Sequence, residues 1–133
     1  MDDPEATLEE FYRKTGETEF EISELKKNGV KDGCILILKR ANSPKSLAEV
    51  DVFVFESIEG AEGFFEYIKN RSEAKDWKKL DIGDETVFHS TDSTHIWLSR
   101  VSNAFVRVIV WNGEAGRETG MRIISKIAGK IKF

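Results

Sequence analysis

The sequence predicts an α+β domain, a curved and mostly antiparallel sheet packed against helices, and three observations carry that reading. Short apolar or alternating runs occupy 34–41, 46–57, 85–91, 94–101 and 103–111, as buried and half-buried strands require. Two long amphipathic stripes, at 57–70 and 114–133, follow groups of strands. Every connection not made by a helix is short, which calls for hairpins. At 133 residues the chain has the length of one domain, 1–133, with one core.

The elements follow in order. Over 3–16, Asp3 caps a helix, Pro4 takes its first turn, Leu8, Phe11 and Tyr12 form its stripe, and Gly16 ends it. Phe20 and Ile22 then alternate with glutamates in TEFEISEL, which predicts a strand over 18–25 and a turn at Asn28-Gly29. CILILKRA is the next strand; its Cys34 reads as a small buried hydrophobe. NSPKS turns the chain into SLAEVDVFVFES, where Val50, Val52 and Val54 face one way and Asp51, Phe53 and Phe55 the other. With no wholly polar face, the centre of this strand is covered on both sides.

Ser57 caps the first long helix, whose Ile58, Ala61, Phe64, Phe65 and Ile68 share a stripe. Three strands follow, and a C-terminal helix turns Met121, Ile124, Ile127, Ala128 and Ile131 inward. The order is a helix and then two βββα-type units, with the helices expected on one face of the sheet. Whether the halves descend from a duplication is not legible, since they share too few residues.

The bulk composition narrows the function classes. With 40% hydrophobic and 33% charged residues, the chain is globular in type, and no apolar run reaches a membrane span. Residues 1–66 hold 16 acids against 8 bases, and 67–133 hold 8 acids against 12 bases. The positive half has too many acids for the concentrated basic face of a nucleic-acid binder. One cysteine permits no intrachain disulfide and no zinc spacing, so no cofactor is expected. The absence of glutamine, beside many Lys and Glu, is a thermophile-like drift. Met1-Asp2-Asp3 does not begin a signal peptide, so the expected location is cytoplasmic, or extracytoplasmic if a leader has been removed.

From 47 to 131 the pieces VDVFVFESIEGAEGFFEYI, DIGDETVF and RVSNAFVRVIV, with the closing amphipathic helix, resemble a loose group of small uncharacterised α+β domains. Many of these are secreted or lipoprotein-anchored in bacteria and archaea. Ser102 stands where the group commonly has glycine, and Thr86 where it has alanine. The resemblance implies a Mog1/PsbP-like or cystatin-like architecture and a surface location, and it supplies no catalytic residue.

Candidate sites come from strand parity. A two-residue turn at Asp92-Ser93 sets His89 and His95 on opposite sides of the sheet. A three-residue loop would bring both to one side, where with Asp92 they would offer metal ligands. A Ser/His/Asp reading with Ser90 or Ser93 lacks an evident oxyanion hole. Gly83-Asp84-Glu85 reads as a turn, with Gly83 at positive φ and Asp84 bonded locally.

A turn at Ser102-Asn103 groups Trp97, Val106, Val108 and Val110 as core. It leaves Leu98, Phe105, Trp111, Ile96 and Ile109 on the other face with Arg100 and Arg107. That apolar, arginine-bearing face suggests a non-enzymatic binding domain for a partner protein or a small acidic or amphiphilic ligand. In the competing arrangement the N-terminal helix or a second copy covers it, with the arginines paired to Asp51 or Glu49. A homodimer through the same face, and an enzyme or metal site at His89 and His95, are the alternative functions.

Overall fold

A computed structural model describes residues 19–39, 46–72, 76–91, 93–111 and 113–130. The helix expected over 3–16, the NSPKS turn, Asp92 and Ile131 lie outside the described residues. The order is α1 (Glu19–Lys27), β1 (Val30–Lys39), β2 (Ser46–Phe55), α2 (Ile58–Arg71), β3 (Lys78–Leu80), β4 (Glu85–Ser90), β5 (Thr94–Val101), β6 (Ala104–Trp111) and α3 (Gly113–Lys130). The α+β class, with a helix leading and the sheet packed against helices, is as the sequence predicts.

TEFEISEL is helical, not extended. Its Glu21 and Leu25 are spaced i,i+4 and both are buried, a helical pairing that the period-two spacing of Phe20 and Ile22 obscures. Glu, Leu and Lys also favour helix. The Asn28-Gly29 turn exists, but it ends this helix. The Asn28 and Gly29 amides donate to the Glu24 and Lys26 carbonyls, and Gly29 has φ +79°, the usual left-handed stop. The first unit therefore has two strands.

In α2 the Ser57 Oγ accepts from the Gly60 amide at 3.0 Å, and Ala61, Phe64, Phe65 and Ile68 are buried. Lys69 and Arg71 occupy the last turn, where the helix dipole favours cations.

The six strands lie in the order β1-β2-β6-β5-β4-β3, and every pairing is antiparallel. β2 and β6 are neighbours, which joins the two halves of the chain. The turn at Ser102-Asn103 is present. Ser102 has φ 52°, in the region where glycine is at ease, which gives the group's preference for glycine a physical basis. Thr86 is explained as well: its buried hydroxyl donates to the Ile82 carbonyl at 2.6 Å and bonds Ser99 Oγ at 2.7 Å.

Helices cover both faces of the sheet, a correction to the single covered face expected. Phe53, Phe55, Val87, Leu98 and Phe105 pack with Leu25 of α1 and Phe64, Phe65 and Ile68 of α2. The alternate residues Val50, Phe88, Trp97, Val106, Val108 and Val110 pack with Ile124 of α3. Strands apolar on both sides need a layer on each.

Trp97 is wholly buried, and its indole lies so close to α3 that a Cβ at Gly120 would stand 2.1 Å from the ring. Met121 Sδ accepts from the indole N–H at 3.1 Å. α3 lies over β5 and β6, and among the described residues no helix packs on the β1 end of its face. Cys34 is consequently exposed, not buried as its apolar surroundings in sequence suggested.

Candidate functional site

The face opposite α3 carries the residues expected to form a site, and the structure divides them. Leu98 and Phe105 are fully buried. The Phe105 ring is parallel to Phe53 at 6.3 Å, and the Phe64 ring meets it edge-on at 5.0 Å. These two belong to the core because α1 and α2 cover this end of the face.

Arg107 sits in a charge network. Its Nε donates to Asp51 Oδ2 and its NH2 to Glu21 Oε1, each at 2.7 Å. Its side chain is 12% exposed, beside 0% for Asp51 and 8% for Glu21. Burial of this degree demands pairing, and the pairing to Asp51 is the competing arrangement foreseen from the sequence. Asp51 Oδ1 is buried without a hydrogen-bond partner.

Arg100 is held elsewhere. It donates to Glu85 Oε2 and to the Ser102 carbonyl, both at 2.9 Å. Asp84 Oδ2 accepts from the Ser102 amide at 2.6 Å, and the Asp84 amide donates to the Arg100 carbonyl. Gly83 has φ +63°, as the sequence predicts, but the Asp84 carboxylate bridges to the next hairpin and not to its own turn. Arg100 thus staples the Gly-Asp-Glu segment to the β5–β6 turn. Trp111, opposite Thr94 at the far end of β6, is half-buried.

Between the C-terminal end of α2 and the sheet lies a groove of about 190 Å³. Ile96, Leu98 and Ile109 form its floor and Trp77 lines one side, with Glu21 and Arg107 from the charge network and Arg71 at the end of α2. The Trp77 indole donates to the Lys69 carbonyl at 3.3 Å, which fixes it beyond the helix end. Arg71 NH1 donates to Tyr67 Oη at 2.7 Å, and its guanidinium lies 5.7 Å from that ring's centre. Of the five residues expected, only Leu98 and Arg107 line the groove. Trp77 and Arg71 were missed, since no periodicity marks residues in a helix end and an irregular link.

The histidines follow the two-residue loop. His89 stands opposite Ile96 and Ser90 opposite His95, while the Thr91 amide donates to the Thr94 carbonyl. They lie on opposite faces, so the two histidines do not converge as the metal alternative at His89, His95 and Asp92 requires, and Asp92 lies outside the described residues. His89 packs edge-on to Trp77 at 5.7 Å, and its Nδ1 is 2.7 Å from Asp76 Oδ1. His95 is buried against Phe88 and Trp97, with its Nδ1 hydrogen-bonded to Ser90 Oγ. Among the described residues, no three His, Cys, Asp or Glu side chains converge as a metal site would need. No helix there is long and apolar enough to cross a membrane.

The chain matches no protein-family model and no curated protein. Among solved structures it is similar to the extracellular domain of PknH from Mycobacterium tuberculosis. The TM-score is 0.46 and the identity 14%, over 82% of this chain and 70% of that one.

Proposed function

We propose that the protein is a non-enzymatic binding domain whose groove takes a small acidic amphiphile. The observation that carries the reading is an apolar lining of Ile96, Ile109 and Trp77 over the buried Leu98, with the exposed Arg71 on the same groove. Concave apolar sites with a few placed polar groups are the usual form of ligand pockets. At about 190 Å³ the groove is smaller than the roughly 300 Å³ at which drug-sized sites begin. It suits a short alkyl or single aromatic body.

Arg107 is neutralised by two carboxylates and orients the wall. Arg71, at an exposed helix end, reads the acid of the ligand. An arginine fork pairs with a carboxylate in a bidentate way.

The test is an NMR titration with hexanoate, using the Trp77 indole N–H as reporter. Saturable shifts at Trp77, Ile96 and Ile109 are expected, abolished by Ile96→Trp, which fills the groove. Hexanol should bind more weakly, and Arg71→Gln should erase the difference. No saturable shift at these positions would sink the proposal.

A Mog1/PsbP-like or cystatin-like kinship and a location outside the cytoplasm belong to the same proposal. The resemblance of residues 47–131 to often-secreted domains supports both. Antibody detection in secreted, membrane and cytosolic fractions of the natural host tests the location.

A further inference from the structure

We propose that His89 is a positioning residue for the groove, holding its Trp77 wall, and that protonation of the His89 ring tightens the groove on an anionic ligand. This rests on the groove as a ligand site and adds a control to it.

Two contacts hold the wall. The Trp77 indole N–H donates to the Lys69 carbonyl at 3.3 Å, which ties the ring to the end of α2. The same ring meets the His89 imidazole edge-on at 5.7 Å, and His89 belongs to β4. Asp76, the residue before Trp77, sets its Oδ1 2.7 Å from His89 Nδ1. One imidazole thus grips two consecutive residues, and Trp77 is fixed between the sheet and the helix that bound the groove.

The grip depends on charge. Nδ1 makes no hydrogen bond among the described residues, so Asp76 is held by attraction to an imidazolium and not by a directed bond. A ring that has lost the Nδ1 proton turns a lone pair toward the carboxylate, and one that has lost the Nε2 proton no longer carries the charge that attracts it. The indole contact changes with the same sign, since a cation within about 6 Å of an indole is drawn to its π-system. Both contacts therefore weaken as pH rises through the range in which histidine is the side chain that ordinarily changes charge.

The other charges on this face have other engagements. Lys79 of β3, opposite Val87, is exposed to solvent. Lys69 pairs with Glu66 at 3.8 Å, and Arg71 donates to Tyr67. Arg107 is bound by Glu21 and Asp51, and Arg100 by Glu85. Asp76 is the carboxylate at ion-pair distance from His89 among the described residues. Its side chain is 75% exposed, beside 17% for His89, so water screens the pair and the expected change in affinity is about two- to fivefold.

The experiment is the hexanoate NMR titration repeated from pH 6 to pH 8.5, where hexanoate stays ionised. In the ligand-free protein the Trp77 indole N–H should shift with the midpoint of the His89 ring protons. That shift should vanish in His89→Gln and shrink in Asp76→Asn, a change of an exposed side chain that leaves the fold intact. Hexanoate should bind about two- to fivefold more tightly at the low end of the range, and either variant should flatten this profile while binding stays saturable. An indole signal that ignores His89, or a profile equally steep in both variants, would overturn the proposal. An indole that follows His89 while hexanoate never saturates would overturn the ligand and leave the positioning of Trp77 by His89 standing.

Discussion

The two faces of the sheet are covered differently, and the difference locates the groove. One face lies under a single helix, α3, of 18 residues, which packs along β5 and β6 and seats Trp97 against its backbone at Gly120. The other lies under two shorter helices, α1 of nine residues and α2 of 14. Where α2 stops at Arg71 the cover among the described residues stops too, and the strand residues beyond it line a groove. A core built from large aromatic rings closes around α2, while a charge network closes beside α1. One face is filled by shape, the other by a mixture of shape and charge.

The largest expected effects test that contrast directly. Trp97→Ala should cost about 3–5 kcal/mol in urea unfolding, the range for deleting a large buried aromatic. Arg107→Met should cost a similar ~3–5 kcal/mol, because it strands Asp51 and Glu21 as buried acids. The two losses should respond differently to compensation. Adding Asp51→Leu and Glu21→Leu to Arg107→Met should recover most of the stability, whereas no change of charge rescues Trp97→Ala. If the compensated variant stays as unstable as the single one, the charge network is not what closes the face beside α1.

Gly120→Ala comes next, with about 1–3 kcal/mol lost through overpacking, seen as a lower Tm. It should leave hexanoate shifts at Trp77 unchanged below the transition, since the two faces share only the sheet. The smallest effect is expected from Ser102→Gly. It removes a left-handed cost of about 1–2 kcal/mol but adds freedom to the unfolded chain worth about 0.4–1 kcal/mol. Net stabilisation should be about 0–1.6 kcal/mol by thermal unfolding. A loss would mean that the Ser102 φ of 52° carries no strain.

Much of the fold was legible because the strands announce themselves. The alternation in VDVFVF, the Ser57 cap and the parity of the 85–101 hairpin depend on neighbours in sequence, and the structure has all three. The errors share a different origin. Residues 18–25 satisfy two periods at once, and burial of Glu21 beside Arg107, 86 residues away, sets the helical one in its tertiary place. β3 is too short to have a period. The site was half legible for the same reason: strand parity found Leu98 and Arg107, but the groove is bounded by the place where α2 ends and Trp77 folds back. Nor does parity foretell that Glu85 and Asp84 claim Arg100.

The pairing of β2 with β6 bears on how the protein is made. Phe55 and Asn103 are clasped twice. The Phe55 amide donates to the Asn103 carbonyl, and the Asn103 side-chain amide donates back to the Phe55 carbonyl across a separation of 48 residues. On a ribosome that adds about 5–20 residues per second, β2 emerges seconds before its partner β6 exists. Until then Val50, Phe53 and Phe55 have no β6 paired beside them. Pairings over such separations fold slowly and leave apolar surface open meanwhile. For the nascent chain, the interval between β2 and β6 is one in which the apolar residues of β2 lack the strand that pairs with them in the finished sheet.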